Sequence, residues 1–101
     1  MKLIIITAVK EFEKDIKRIL KNTDIPLFSY TEITGYRNIS KEAKLDNWFP
    51  GERHETDSIM FYAFIKKEDT DELFKRVKIF NDKQESLSKV HVAVLNIDKS
   101  N

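Results

Sequence analysis

The chain has no cysteine, only two glycines, two prolines and one tryptophan among 101 residues. Without cysteine there is no disulfide scaffold, no thiolate zinc site and no thiol nucleophile. Two glycines are too few for a Walker loop or a dinucleotide fingerprint, both of which need glycine where backbone approaches phosphate. Charge of one sign is also missing: Lys plus Arg is 18, Asp plus Glu is 17, and the net charge is +1. That balance removes the basic footprint of a nucleic-acid binder and the polybasic attraction to anionic membranes. No apolar run approaches the length of a membrane span. The longest run near the start, Leu3 to Val9, is stopped by Lys10 and Glu11. It therefore reads as a buried strand rather than a secretion signal, and a cytoplasmic location is expected.

What remains is a folded composition, 41% hydrophobic and 35% charged, of a length that suits one domain over residues 1–101. Lys2 to Val9 is rich in β-branched residues and apolar on both parities, the pattern of a central strand covered on two faces. From Glu11 to Asn22 the period changes: Phe12, Ile16, Ile19 and Leu20 form one helical stripe. Pro26 prevents the helix from resuming, and Leu27 to Tyr36 reads as a second strand. Ser58 to Ile65 is again apolar on both parities. Asp69 with Glu72 has the spacing of a capping box, followed by a helix with Leu73, Phe74, Val77 and Phe80 facing the core. Val90 to Ile97 closes the chain as a last strand after a polar connection, Asn81 to Ser88.

The order is βαββαβ. Right-handed crossovers then place both helices on one face of a four-stranded antiparallel sheet, an α+β ferredoxin-like sandwich with the first and third strands central. One sheet face stays uncovered. It would expose Met60, Tyr62 and Phe64, or their neighbours Ile59, Phe61 and Ile65, together with part of Leu3 to Val9. Such a patch is large for a soluble monomer, so other copies of the chain are expected to cover it in closed symmetry. The pattern does not choose between two copies and three.

Two segments resemble a known family. Lys2 to Lys10 is similar to the opening strand of the nitrogen regulatory P-II proteins. Thr31-Glu32-Ile33-Thr34-Gly35-Tyr36 resembles their Thr-Glu-Val-Lys-Gly-Phe strand end. The resemblance implies a PII-like homotrimer that regulates a protein target, a membrane transporter or an enzyme. It also implies that the long segment 38–56 acts as the T-loop that docks on this target. Segments of that length tend to be functional, and Trp48, Phe49, Arg53 and His54 are its candidate contact residues. Two large aromatics in a polar loop suit either packing on a neighbouring subunit or a binding hot spot.

Ligand residues implied by the resemblance are Gly35, Arg37 and Lys89, at the subunit boundary. The family's ATP/ADP site is degraded in this sequence. Lys83-Gln84-Glu85-Ser86-Leu87-Ser88-Lys89 has no glycine where the family has a glycine-rich loop, and the basic C-terminal extension is missing. A phosphate cradle is hard to build without glycine.

A second reading is a divalent-metal-binding protein of the CutA type, with His54, Glu55 and Asp57 as ligands. The other reading of those residues is a solvated loop end. His91, alone in the last strand, reads as a packed or interface histidine. A third reading is a small enzyme on the same fold. Ser40, Ser58 and Ser86 lack a nucleophile-elbow context, and a non-enzymatic role is expected.

Overall fold

The computed structural model describes residues 1–37 and 55–101. Four strands, β1 (Lys2–Val9), β2 (Ser29–Tyr36), β3 (Glu55–Ile65) and β4 (His91–Asn96), form one sheet in the order β2-β3-β1-β4. All three pairings are antiparallel. Helices α1 (Glu13–Asn22) and α2 (Thr70–Lys83) follow β1 and β3. This is the expected ferredoxin-like arrangement, with the two doubly apolar strands side by side at the centre.

Alternation in the strands decides which residues meet the helices. Ile4, Ile6 and Ala8 of β1 and Ile59, Phe61, Ala63 and Ile65 of β3 are buried beneath Ile16 and Leu20 of α1 and Leu73 and Val77 of α2. Phe61 is 1% exposed and its ring lies 5.8 Å from Phe28 and 5.3 Å from Tyr30. The helices join through Phe12 and Phe80, edge to face at 5.0 Å, a geometry that aligns a ring edge with a π face.

Several local details differ from the sequence expectation. A 3-10 turn, Lys10–Phe12, precedes α1, so the α-helix proper begins at Glu13. The second strand starts at Ser29, and Leu27 is exposed. Phe74 is half-exposed, because Leu73 and Val77 already fill the stripe that faces the sheet. The Asp69–Glu72 capping box does not form. Asp69 occupies the N-cap position at φ −93°, ψ −7°, and its carboxylate makes no capping bond. A capping side chain normally springs from extended backbone, and here a 3-10 turn, Lys67–Asp69, has already curled it. The Thr70 hydroxyl instead donates to the Lys67 carbonyl at 2.8 Å.

At its other end α1 closes tightly. The Thr23 amide and hydroxyl both donate to the Ile19 carbonyl, at 3.0 and 2.6 Å, and Asp24 turns the chain at φ 61°. Glycine usually holds that left-handed position. In this glycine-poor chain an aspartate does.

The opposite sheet face shows the other parity. Phe64, Leu3 and Leu95 lie in one cross-strand row. Tyr62, Ile5 and Ala93 form the next, with Ser29 at its edge, and Thr31, Met60, Thr7 and His91 the third. Tyr62 is 43% exposed, Phe64 54% and Leu95 40%. The charged ladder positions Lys2, Glu32, Glu55 and Asp57 have helix-side parity, so in a chain that is 35% charged these rows hold no Asp, Glu, Lys or Arg.

Candidate functional site: a cleft at one end of the sheet

The register gathers distant residues at one end of the sheet. Val9 closes β1 opposite Ser58 of β3, Gly35 of β2 pairs with Thr56, and His91 opens β4 opposite Thr7. Between these strand ends lies a cleft of about 540 Å³, lined by Thr7, Ala8, Val9, Ile33, Gly35, Tyr36, Arg37, Thr56, Ser58, Ser88, Lys89 and His91. Its volume suits a small ligand. Among the described residues the ionisable lining side chains are Arg37, Lys89, His91 and Tyr36, with no carboxylate.

Gly35 has a steric task here. A Cβ at this position would come within 3.1 Å of the Ser58 Oγ. The hydroxyl uses that space and donates to the Thr56 carbonyl at 3.3 Å. The missing side chain thus keeps the cleft floor open where β2 meets β3.

The segment joining α2 to β4 is held by its own side chains. The Gln84 carboxamide oxygen accepts from the Ser86 amide at 2.8 Å and from the Ser86 hydroxyl at 2.6 Å, while its nitrogen donates to the Ser88 carbonyl. The Ser88 amide donates to the Ser86 hydroxyl at 3.2 Å. One step on, the Val90 amide donates to the Asn81 side-chain oxygen at 2.8 Å and the Asn81 nitrogen donates back to the Val90 carbonyl at 3.0 Å. The amides of Ser86, Ser88 and Val90 are therefore occupied. A phosphate cradle depends on free, converging backbone N–H groups, and this glycine-free segment has spent these three on itself. Lys89 is anchored too, its ammonium donating to the Asn81 carbonyl at 3.0 Å.

All three ligand candidates named from the sequence, Gly35, Arg37 and Lys89, line this one cleft. Of the metal candidates, Glu55 and Asp57 stand exposed at the start of β3, and His54 lies outside the described residues. Among the described residues no three His, Asp or Glu side chains cluster as a metal site. Trp48, Phe49 and Arg53 lie outside the described residues as well. The lining residues Thr7, Ser58, Ser88 and His91 escaped sequence reasoning as parts of a site. The strand register was the signal that would have found them. His91 is not packed within the chain: it is exposed.

Known proteins were then compared with this chain. No family model matches it, and no curated protein does. Solved structures do. The nitrogen regulatory PII-like protein CPII from Thiomonas intermedia K12, solved with ADP, AMP and bicarbonate, superposes with a TM-score of 0.59 at 13% identity, over 97% of this chain and 94% of its own. A protein from Thermus thermophilus described as PII-like and signalling gives a TM-score of 0.64 at 17% identity, over 95% and 85%. The chain has the PII-like fold. The likeness in fold covers nearly the whole length, well beyond the segments Lys2–Lys10 and Thr31–Tyr36. No described helix of the chain is long and apolar enough to cross a membrane.

Proposed function

We propose that the chain is a PII-like regulatory protein, one domain over residues 1–101, that self-assembles through its uncovered sheet face and binds a small ligand in the cleft. The convergence of Gly35, Arg37 and Lys89 on one cleft carries this reading. Residues chosen from a short sequence resemblance at two remote places line a single concavity, beside a face free of Asp, Glu, Lys and Arg.

The uncharged rows Phe64–Leu3–Leu95 and Tyr62–Ile5–Ala93 favour a second copy of the chain as occupant. An apolar face is self-complementary without any charge pattern to match, and homomeric interfaces are the more apolar class. The PII-like resemblance makes the number of copies three. The segment 38–56, whose last two residues, Glu55 and Thr56, belong to β3 rather than to a loop, carries Trp48, Phe49, Arg53 and His54 as the docking element for a protein target, a transporter or an enzyme. Ligand occupancy of the cleft beside Arg37 shifts the population of arrangements of the segment that follows.

The ligand is an anion with an apolar or planar part. Cationic Arg37 and Lys89 stand beside Ile33, Val9 and Tyr36 in the cleft. The bound ADP, AMP and bicarbonate of the Thiomonas protein make these the first compounds to test. With the Ser86, Ser88 and Val90 amides already engaged, side chains rather than a backbone cradle would hold the anion.

Titration calorimetry with ADP, AMP, ATP, bicarbonate and divalent metals tests the ligand part. Binding of an anion that weakens in Arg37→Ala supports it; no heat with any of them removes it. Sedimentation at micromolar protein tests the assembly, and a stable single chain would overturn it.

A further inference from the structure

His91 stands where the cleft and the uncovered face meet. It is the first residue of β4 and pairs with Thr7, on the parity that faces away from the helices. Among the register-paired residues of the described strands it is the one histidine, and it borders rows without Asp, Glu, Lys or Arg. Imidazole is the side chain whose charge changes between about pH 5 and 8. His91 is exposed in the single chain, and no hydrogen bond or ion pair ties its imidazole to another described residue.

Its surroundings oppose a positive charge once water is removed. Arg37, at the end of β2, and Lys89, just before β4, share the cleft with it. From α2, Lys78 and Asp82 line the adjoining groove that His91 also borders, again with Lys89. Tyr36 adds a phenol on the cleft side. From β1 it faces uncharged Thr7, and from β3 the cleft brings uncharged Thr56 and Ser58. Among the described residues, arginine and lysine thus outnumber the single carboxylate, Asp82. Ala93, two residues along β4, sits beside Ile5 in the apolar row. Same-face neighbours in a strand are about 7 Å apart, so a copy seated on Ile5 and Ala93 also covers His91.

We infer that His91 makes self-assembly through this face proton-dependent: neutral imidazole permits the copies to close, and imidazolium separates them. The inference rests on the assembly reading above. Covering a cation costs its hydration, and Arg37 and Lys89, which share the cleft, add repulsion. The neutral form is then the one the assembly prefers. By linkage, acidification weakens association.

Sedimentation equilibrium of the full chain at about pH 7.5 and about pH 5.5, with circular dichroism confirming the fold at both, tests this. With the imidazole's reference value of about 6.5, the expected result is a dissociation constant higher at the acidic pH by up to about 10-fold for each histidine the assembly covers. His91→Gln, always neutral, should assemble equally at both pH values. His91→Arg, always charged, should stay dissociated at both. A wild-type chain that assembles equally well at both pH values overturns this inference and leaves the assembly reading standing. So does pH dependence retained in His91→Gln, which would assign it to His54 or a carboxylate, and so does an assembled His91→Arg. A wild-type chain that is single already at about pH 7.5 overturns the assembly reading, and this inference with it.

Discussion

The Lys10 ammonium reaches the Glu32 carboxylate at 2.5 Å, although the strand before Lys10 and the strand that holds Glu32 do not pair. Lys10 follows β1 and Glu32 lies in β2, with β3 between them in the sheet. Ile59 of β3 is the residue opposite Glu32. Hydrogen bonding and attraction from Glu32, aided by Glu13 and Asp57, raise the Lys10 pKa above the ordinary ammonium value.

A group whose pKa is raised by folding stabilises the fold below its unfolded value, about 10.4 for lysine. That contribution fades as pH climbs through the folded value. Wild type should therefore lose stability as pH rises above about 10, and Glu32→Gln should lose less over the same interval. The effect will be small, because the pair is solvent-exposed and screened. Thermal melts of both proteins across that range check it. Equal pH slopes would show that the pair is inert.

Phe61 is the largest fully buried side chain among the described residues. Phe61→Ala should cost about 3–5 kcal/mol in urea unfolding. The loss combines the transfer term with a cavity under Phe28 and Tyr30. A cost below about 1 kcal/mol would mean the core collapses to fill the space.

Asn81 imitates a neighbouring strand for Val90, giving and accepting one hydrogen bond each with its backbone. Val90 is 3% exposed, so water does not readily replace those bonds. Asn81→Ala should destabilise by about 2 kcal/mol. It should also raise amide exchange at Val90 in hydrogen-exchange NMR. Unchanged protection at Val90 would count against the role given to Asn81.

Gly35→Ala should be tolerated at a cost under about 1 kcal/mol, because the Ser58 hydroxyl nearest the new methyl group can rotate. Adding Ser58→Ala should recover that cost by removing the 3.1 Å contact. Urea unfolding of the single and double variants checks the coupling. Additive effects would place the strain elsewhere.

Phe64→Glu, on the uncovered face, should leave the helical circular dichroism unchanged and convert the assembly to single chains in sedimentation. Phe64 is 54% exposed, so within one chain a carboxylate there meets water and costs little. Between copies it would be desolvated without a partner. An unaltered sedimentation profile would exclude this part of the face from the interface.

Much of the architecture could be read from the amino acids. The β1 boundaries, the helical stripe of Ile16 and Leu20, and the central pairing of the doubly apolar strands follow from periodicity. The reason is that burial repeats with the period of the backbone. The helix caps were less legible. Asp69 has capping spacing, but its backbone conformation depends on the turn before it. Phe74 shares the apolar stripe of α2 but lies at its margin, and only packing shows that Leu73 and Val77 leave it half-exposed. Within the cleft, Gly35, Arg37 and Lys89 were found through a short motif resemblance, whereas Thr7, Ser58 and His91 carry no local signal.

By itself, then, the sequence determined the order of elements, the ferredoxin-like sandwich and the excess of apolar surface on its central strands. Those properties are local or periodic, and a linear pattern can encode them. Tertiary structure alone decided that odd positions of β1 and even positions of β3 face away from the helices, that Lys10 meets Glu32 across a strand, and that Gly35, Arg37, Lys89 and His91 share one cleft. Each of these depends on register between segments far apart in the chain. Register is settled by packing one whole face against the helices, which no short stretch of residues contains.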